Sequence, residues 1–330
     1  MTISTMGRTA LVVAGLLVSA CAGDREVGLP VDAGSQLRTA ATRHASWMSP
    51  AAKTASLVVY IADGQEVNAY AYKTHVLLGQ LSVEGPGTLC SDKSGNIWVS
   101  SGSRNGAEML EYAPGGTQPI AELFSYPATG CAVDPESGDL AVVTWGDSHR
   151  KQNLEIYHQA QGLPKTYSYA AFQFWNYCAY DNNGNLVIQG YAPDGQGGDR
   201  IAIYAELQKG HKKLISVNIS TTDADGAGIQ WDGKYFLVGY NYDNTMHRYS
   251  VHNGLATEID EIPIAAGQLH LNGFWLHHDT LVTDLESTND EYGVGGFPYP
   301  AGSPEEHAYS LDTYPYAITV TATPKTPSDR

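Results

Sequence analysis

The sequence predicts an all-β protein, a six-bladed β-propeller in which a C-terminal strand completes the first blade. Three observations predict it. A structural unit recurs along most of the chain, short alternating apolar runs replace helical stripes, and the two ends of the repeat region carry complementary halves of one unit. With 330 residues, 42% of them hydrophobic, the chain can bury a sizeable core, which excludes extensive disorder.

The N-terminal residues predict a secreted protein held at a membrane. Arg8 is the only charge in the first twenty residues, and a short apolar run follows it at residues 10–20. A bilayer-spanning helix takes about 20 residues, so residues 1–20 are typical of a signal peptide instead. The run ends in Val18-Ser19-Ala20-Cys21, which resembles a bacterial lipobox. The resemblance implies that Cys21 is lipidated after cleavage and anchors the chain.

An ordinary signal peptide with a cysteine nearby is the alternative, and the sequence leaves it open. Ala22 follows the cysteine, and the resemblance then implies sorting to the outer membrane. Residues 21–55 lack a hydrophobic period and are interpreted as the lipid anchor and a flexible tether. The predicted localisation is the bacterial cell envelope, in the outer membrane or on a periplasmic or extracellular face.

A tight turn followed by a β-rich run recurs along the rest of the chain. In each full copy an aspartate opens the turn and a glycine supplies the positive φ that hairpin turns need. The copies begin at Asp92, Asp134, Asp181 and Asp232, and a degenerate fifth covers His277 to Asp279. Equivalent positions in successive copies, counted from Asn96, lie roughly 43 to 49 residues apart. Because such an aspartate caps turn N–H groups, these acids are interpreted as structural rather than as calcium ligands.

A second unit, an apolar residue followed three positions later by an aromatic one, alternates with the turns. Its copies end at Tyr70, Tyr112, Tyr157, Tyr204, Tyr249 and Phe297. At the two ends, Leu57–Ala62 resembles a strand after a turn but has no strand before it, and Tyr314–Val320 resembles the missing predecessor. Pairing them closes the ring and removes exposed sheet edges. We therefore place the propeller at residues 56–324 and a tail at residues 325–330.

The turns at Asp92–Asn96 and Asp181–Asn185 follow an Asp-x-x-Gly-Asn pattern before a β run. This pattern resembles the repeats of NHL-type propellers, also grouped as TolB-like, and the resemblance covers most of residues 57–323. It implies the architecture and no single activity, because lyases, lactonases and binding scaffolds all use such propellers.

After cleavage the remaining cysteines, Cys90, Cys131 and Cys178, would lie in an oxidising compartment. Cys131 and Cys178 each lie three residues before a turn aspartate. Cys90 lies two residues before its turn aspartate, so strand alternation points its side chain the other way. These positions are compatible with a disulfide between Cys131 and Cys178 or with two buried reduced thiols, and the sequence does not choose between them.

Motifs for chemistry are absent from the sequence. It contains no Gly-x-Ser-x-Gly elbow, no P-loop and no cysteine–histidine zinc spacing. We therefore predict no metal and no cofactor. The balance of 19 basic against 35 acidic side chains gives a net charge of −16, which argues against nucleic acid as a partner.

Residues outside the repeat are the best candidates for function, since the fold explains the residues that it repeats. In propellers the loops after the second strands and between the blades usually open on one face, where aromatic, amide and acidic side chains can bind a ligand. A merely solvated rim is the alternative. The candidate ligand-face residues are Asp63, Trp145, Asp147, His149, Trp175, Tyr191, Tyr240, Tyr242, Asp243, His270 and Asp284.

These features favour a monomeric, non-enzymatic envelope lipoprotein that binds a protein, a glycan or a small molecule. The alternative function is enzymatic: a metal-dependent lactonase or hydrolase, or a lyase, with its site at the mouth of the propeller channel. Several acids from different blades converging on the channel would favour the enzyme. A mouth without such a cluster would favour the binding protein.

Overall fold

The computed structural model describes residues 46–103, 106–145, 153–193, 200–219, 226–240, 245–264, 269–287, 291–303 and 307–322. Within these ranges the only helices are two short 3-10 turns, Pro50–Thr54 and His158–Ala160. None of the described helices has the length and apolar character needed to cross a membrane. The strands are β1 Leu57–Ala62, β2 Glu66–Ala71, β3 Leu77–Ser82, β4 Leu89–Ser91, β5 Ile97–Ser103, β6 Gly106–Tyr112, β7 Ala121–Ser125, β8 Ala128–Val133, β9 Leu140–Thr144, β10 Leu154–Tyr157, β11 Lys165–Tyr167, β12 Phe174–Tyr180, β13 Leu186–Pro193, β14 Arg200–Leu207, β15 Ile215–Val217, β16 Gly226–Trp231, β17 Phe236–Tyr240, β18 Thr245–His252, β19 Leu255–Pro263, β20 Leu269–His277, β21 Thr280–Ser287, β22 Tyr292–Pro298, β23 His307–Leu311 and β24 Ala317–Ala322.

The strands form six antiparallel four-stranded sheets, the blades of the propeller. Blade 1 has the strand order β24-β1-β2-β3, and blades 2 to 6 follow in sequence as β4–β7, β8–β11, β12–β15, β16–β19 and β20–β23. The first strand of each blade contacts the first strands of its two neighbours, in the ring order β4, β8, β12, β16, β20 and β24. The predicted six-bladed propeller is confirmed.

The closure of the ring is also confirmed. Strand β24 pairs with β1 in register from Leu57 opposite Ala322 to Ala62 opposite Ala317. Beyond the strand, the Tyr316 N–H donates to the Ala62 carbonyl (2.8 Å). The C-terminal strand thus supplies the inner strand that blade 1 lacks, and β1 has hydrogen-bonded neighbours on both sides.

The hydrophobic core is divided among the interfaces between neighbouring blades. Second strands such as β9 and β17 are buried along their whole length because a blade packs against each of their faces. Their sequences are therefore almost continuously apolar instead of alternating. One buried cluster lies between each pair of blades, with Trp98 between blades 2 and 3 and Phe236 between blades 4 and 5 as large members.

The turn aspartates have the structural role that the repeat predicts. Oδ1 of Asp181 accepts hydrogen bonds from the N–H groups of Asn183 and Asn185 (both 2.8 Å). Asp92, Asp134 and Asp232 accept equivalent backbone hydrogen bonds. Gly184 follows with φ +78°, a conformation that residues with a side chain rarely adopt.

Residues 46–55, which the sequence predicts to be part of a tether, pack on blade 1. Met48 forms an antiparallel bridge with Gly79, and the Trp47 ring lies 6.2 Å from the ring of Tyr60. A Cβ atom on Gly79 would lie 2.3 Å from the Trp47 carbonyl oxygen, so glycine is needed for this approach. The packed body therefore begins at least as early as Ser46. The other predicted domain boundaries stay predictions.

Candidate functional site

A small cavity occupies the central channel where the inner strands begin, and we call this end the channel mouth. The cavity has a volume of about 100 Å³. All six blades contribute to it: Tyr314–Ile318 from blade 1, Thr88 and Leu89 from blade 2, Thr129–Cys131 from blade 3, Tyr177 and Cys178 from blade 4, Ala227–Gln230 from blade 5, and Gly273–Trp275 with Asp284 from blade 6.

Among the described residues that line this cavity, Asp284 is the only acidic one, and a local irregularity of the sheet makes room for it. The register of β20 against β21 shifts between Leu271 and Gly273, which leaves Gly273 opposite Asp284. A Cβ atom on Gly273 would lie 3.0 Å from Asp284 Oδ1. The bulge and the glycine together let a carboxylate fit inside the wall of the channel.

The carboxyl of Asp284 is buried without full compensation. The residue is 1% exposed, and Oδ1 has no hydrogen-bond partner among the described residues. Burial raises the pKa of Asp284 to about 7, against the lowering effect of the N–H groups of Gly273 and of Asp284 itself. The negative charge of Glu286 raises this pKa further. A buried polar group of this kind costs folding free energy, so its presence calls for a function.

Tyrosines surround the acid. Tyr177, Tyr314 and Asp284 line the same cavity. Burial raises the pKa of Tyr177, and electrostatic repulsion from Tyr191, Asp284 and Tyr314 would add to the effect if they ionised. Burial also raises the pKa of Tyr314, followed by the charges of Glu286 and Asp284. These phenols therefore stay neutral at physiological pH.

The outer part of the mouth is an aromatic rim. The Tyr314 ring packs edge-on against the rings of Tyr292 (5.3 Å) and Tyr316 (5.1 Å). Tyr314 and Tyr316 are 37% and 62% exposed, while Pro315 between them is buried. Tyr314 and Tyr316 thus extend the site from the buried acid to solvent.

Tyr191, a candidate ligand-face residue on β13, lies next to the channel mouth and joins two blades there. The Tyr191 hydroxyl donates to the Gly226 carbonyl (3.2 Å) and accepts from Asn176 Nδ2 (3.3 Å). It therefore links blade 4 to blade 5 at the channel mouth. Tyr191 is 9% exposed, so it supports the wall rather than the surface of the site.

Several other candidates have structural contacts instead. Asp63 caps its own turn by accepting from the N–H groups of Gln65 (2.9 Å) and Glu66 (2.8 Å). Trp175 is 3% exposed and packs edge-on against Phe172 (4.8 Å) in the core between blades 3 and 4. Tyr240 is 3% exposed and belongs to the core between blades 4 and 5.

The remaining candidates are placed only in part. Trp145 follows β9, and its N–H donates to the Pro127 carbonyl (2.6 Å). The backbone of His270 lies opposite Glu286 in blade 6. Four candidates, and the proposed lipid anchor, lie outside the described residues: Asp147, His149, Tyr242, Asp243 and Cys21.

The cysteine pairing differs from the expectation. A disulfide joins Cys90 to Cys131 (Cα–Cα 5.7 Å), and Cys178 is a buried thiol whose pKa burial raises. Neither of the two alternatives that the sequence left open holds for Cys131, which is bonded to Cys90 instead of being reduced or paired with Cys178. Cys131 and Cys178 do not meet because equivalent positions in successive blades point in the same direction around the ring. Cys131 faces blade 2 and Cys178 faces blade 3. The opposite orientation of Cys90 is what lets it face Cys131.

One group of described residues could hold a metal ion, and it lies away from the channel. His247, Glu258 and Glu261 on β18 and β19 offer ligand atoms within 4.8 Å of one another. His247 Nδ1 lies 2.8 Å from Glu258 Oε1, and both glutamates are exposed. A hydrogen bond between His247 and Glu258, with both glutamates exposed to solvent, accounts for this arrangement.

Some residues of the site were missed as site residues by sequence reasoning. The sequence places Tyr314 and Tyr316 only in the segment that closes the ring, and it gives no role to Gly273. The aromatic pair around Pro315 was a usable signal, because it immediately precedes an inner strand and therefore lies at the channel mouth.

Comparison with known proteins supports the architecture. No protein-family model and no curated protein matches the chain. Among solved structures, a functionally unknown protein from Desulfotomaculum acetoxidans DSM 771 is similar with a TM-score of 0.53 and 12% identity, over 77% of this chain and 80% of that one. Apo AztD from Citrobacter koseri gives a TM-score of 0.47 and 9% identity, over 82% and 99%. At such identities the likeness to the first protein concerns the fold alone. The chain is thus a six-bladed β-propeller.

Proposed function

We propose that this protein is a ligand-binding propeller of the bacterial cell envelope, similar to NHL and TolB-like scaffolds, monomeric, and lipid-anchored through Cys21. The ligand site is the channel mouth around Asp284. The disulfide between Cys90 and Cys131 supports a location outside the cytoplasm, because disulfides persist in oxidising compartments. The signal-like residues 1–20 support the same location.

The unpartnered oxygen of buried Asp284 carries the proposal for the site. A stable scaffold gains nothing from a buried carboxyl that lacks a full set of hydrogen bonds, because burying such a group costs folding free energy. Small-molecule sites generally combine aromatic and apolar walls with a few placed polar groups. This cavity has aromatic residues in its wall together with Asp284, Thr88, Thr129 and Gln230. The acid therefore makes sense as a group that a ligand completes.

The channel mouth favours binding over metal-dependent hydrolysis. An enzyme of that type holds its ion with several carboxylates or histidines. Among the described residues that line the cavity, Asp284 is the sole carboxylate, and no histidine is present. This lining supports recognition of a ligand rather than its conversion.

A fragment screen by ligand-observed NMR tests the site. We expect hits for the wild-type protein that disappear in Asp284→Asn, which keeps the size of the side chain and removes its charge. Asp181→Asn is the matched control, because Asp181 lies in a hairpin turn and its hydrogen bonds are internal. Equal binding by wild type and Asp284→Asn would contradict the proposal.

The anchor is tested by membrane fractionation of a bacterial host. Cys21→Ser should move the protein from the membrane fraction to the soluble fraction, since the serine hydroxyl cannot take the thioether lipid. Cys178→Ser is the control and should leave fractionation unchanged. Membrane association that persists in Cys21→Ser would refute lipidation.

A further inference from the structure

We propose that the ligand of the channel mouth is a small organic ammonium ion. This inference rests on the proposed ligand site and specifies its chemistry. It is carried by the size of the cavity, the charge of its lining, the rings around it and the burial of its single acid.

Size limits the ligand to a few non-hydrogen atoms. The cavity holds about 100 Å³. One water needs about 10–15 Å³ of such space, and drug-sized ligands occupy pockets of about 300 Å³ or more. A methylammonium or tetramethylammonium group is therefore of the right scale, whereas a glycan or peptide segment could enter only by its tip.

Charge selects a cation. The part of the lining that the structure describes contains Asp284 and no lysine, arginine or histidine. The whole protein carries −16, so its field attracts cations toward the channel. An anion would meet a carboxyl with no compensating base, and a neutral ligand would leave the ionised acid unpaired.

The aromatic side chains favour an organic cation. Tyr177, Tyr314, Tyr316 and Trp275 line the cavity. Phe274 also belongs to its wall, but the ring of Phe274 packs against Gly228 and Gly239 in the core between blades 5 and 6. Ring faces attract ammonium groups by cation–π interaction, worth about 0.5–2 kcal/mol each depending on desolvation. Repeated rings around one acid are the usual composition of sites that recognise alkylated ammonium groups.

Burial disfavours small inorganic cations. Because Asp284 is 1% exposed, a cation that pairs with it must displace the groups that cover the carboxyl and give up most of its water. Mg²⁺ dehydrates reluctantly, and Ca²⁺ takes about 6–8 oxygen ligands, which a single carboxylate with few neighbours does not supply. An alkylated ammonium ion is weakly hydrated and brings apolar groups that the rings can cover.

Binding should depend on pH through Asp284. The titratable groups that face it are Glu286 on its own strand, Tyr177 on β12 and Tyr314 before β24. The raised pKa values of the two phenols keep them neutral, and the pKa of Asp284 is about 7. A cation binds the ionised form, so affinity should fall by about tenfold for each pH unit below 7.

Isothermal titration calorimetry of the intact protein tests the inference, with methylammonium and tetramethylammonium chloride as probes. Sodium chloride at equal ionic strength and tert-butanol, a neutral molecule of similar shape, are the controls. We expect saturable binding of at least one ammonium probe at pH 8.5 and at least tenfold weaker binding at pH 6. Asp284→Asn should lose at least tenfold in affinity at pH 8.5, whereas Asp181→Asn should not change it.

A second pair of variants tests the rings. Tyr314→Phe should retain ammonium binding, because a ring face remains, and Tyr314→Leu should weaken it by about threefold or more. Thermal melting of each variant shows that it is folded. Equal affinity of the two variants would overturn the assignment of this ring to cation binding.

The inference and the site fail in different ways. Preferential binding of tert-butanol, binding that strengthens at low pH, or equal competition by sodium would overturn the ammonium inference. Neutral fragments that still require Asp284 would then leave the ligand site itself intact. If no probe or fragment of any charge depends on Asp284, the site and the inference both fall.

Discussion

The acidic residues at the two ends of the blades differ in how well their carboxylate oxygens are hydrogen-bonded. At the hairpin turns, Asp92, Asp134 and Asp181 each accept at least two hydrogen bonds from their own turn. At the channel mouth, Asp284 keeps an oxygen with no partner among the described residues. The turn acids recur from blade to blade, and Asp284 lies outside that repeat.

This difference distinguishes acids that stabilise the fold from an acid that lowers its stability. A repeated acid whose oxygens are satisfied by its own turn is explained by the turn. An acid that occurs once, inside a channel wall, with its pKa raised to about 7 by burial, costs stability that the fold does not need. This contrast supports Asp284 as a candidate functional residue more firmly than its residue type alone does.

The largest expected loss of stability comes from removing the C-terminal segment, which forms part of the channel mouth and the closing strand β24. Deleting residues 314–330 removes β24 and exposes the edge of β1, which is buried along its length from Val58 to Ala62. We expect loss of the cooperative thermal transition and aggregation. Deleting only the predicted tail, 325–330, is the control. A truncated protein that melts like the control would show that the ring does not need its closing strand.

The next largest effect is the pH dependence of the unfolding free energy that arises from Asp284. The pKa of Asp284 is about 7 when folded, whereas an unfolded carboxyl titrates near 4. The folded state therefore holds the proton more tightly, and the stability of wild type relative to Asp284→Asn should fall between pH 4 and pH 7 and then level off. The full change is on the order of 4 kcal/mol.

Urea unfolding of both proteins at pH 4.5 and pH 7.5 measures this change. Subtracting the variant cancels the titration of the other groups. A difference that stays constant over this range, or one in which wild type gains stability as pH rises, would show that the carboxyl is compensated like those of the turns.

A somewhat smaller effect is expected for the disulfide that joins blades 2 and 3 beside the channel. Replacing Cys90 and Cys131 with serine should cost about 2–4 kcal/mol of unfolding free energy, because their bond closes a loop with a sequence separation of 41. Cys178→Ala is the control, with a cost of about 1 kcal/mol. Urea unfolding measures both. A thiol assay of the denatured mature protein that finds every cysteine reactive without a reductant would contradict the pairing.

The smallest effect is expected at a single turn acid. Asp181→Ala leaves the N–H groups of Asn183 and Asn185 without their acceptor and should cost about 1–3 kcal/mol. Asp181→Asn retains the acceptor oxygen and should cost less. Both variants should bind ligands like wild type. Loss of ligand binding in Asp181→Ala with an unchanged melting temperature would contradict this assignment, because it would place ligand binding at the hairpin turns instead of the channel mouth.

The fold could be predicted because its physical causes repeat. Each Asp-to-Gly turn is local, so its hydrogen bonds and positive φ appear in the sequence as a pattern with a fixed period. The unmatched halves at Leu57–Ala62 and Tyr314–Val320 then fixed the closure. The alternation of strand residues correctly gave Cys90 the opposite orientation to Cys131 and Cys178. It did not give the pairing, because pairing also depends on which blade each face meets.

The site could be predicted only in part for a similar reason. Asp284 and Tyr191 were expected on the ligand face, and both lie at or beside the channel mouth. Trp175 was expected there too, but a bulge in β12 between Trp175 and Tyr177 changes which side chains face the channel. Bulges leave no reliable signal in a single sequence. Gly273 depends on such a bulge as well.

The closing strand also has a consequence for how the protein is made. The hydrogen bond between Thr313 and Asp63 joins residues that are 250 positions apart in sequence. A ribosome or a translocation channel releases β1 long before β24. Until β24 emerges, one edge of β1 has no hydrogen-bonded neighbour, while the other five blades can already assemble. Folding of this chain is therefore tied to completion of its synthesis, and products that stop early would be natural substrates for quality-control proteases.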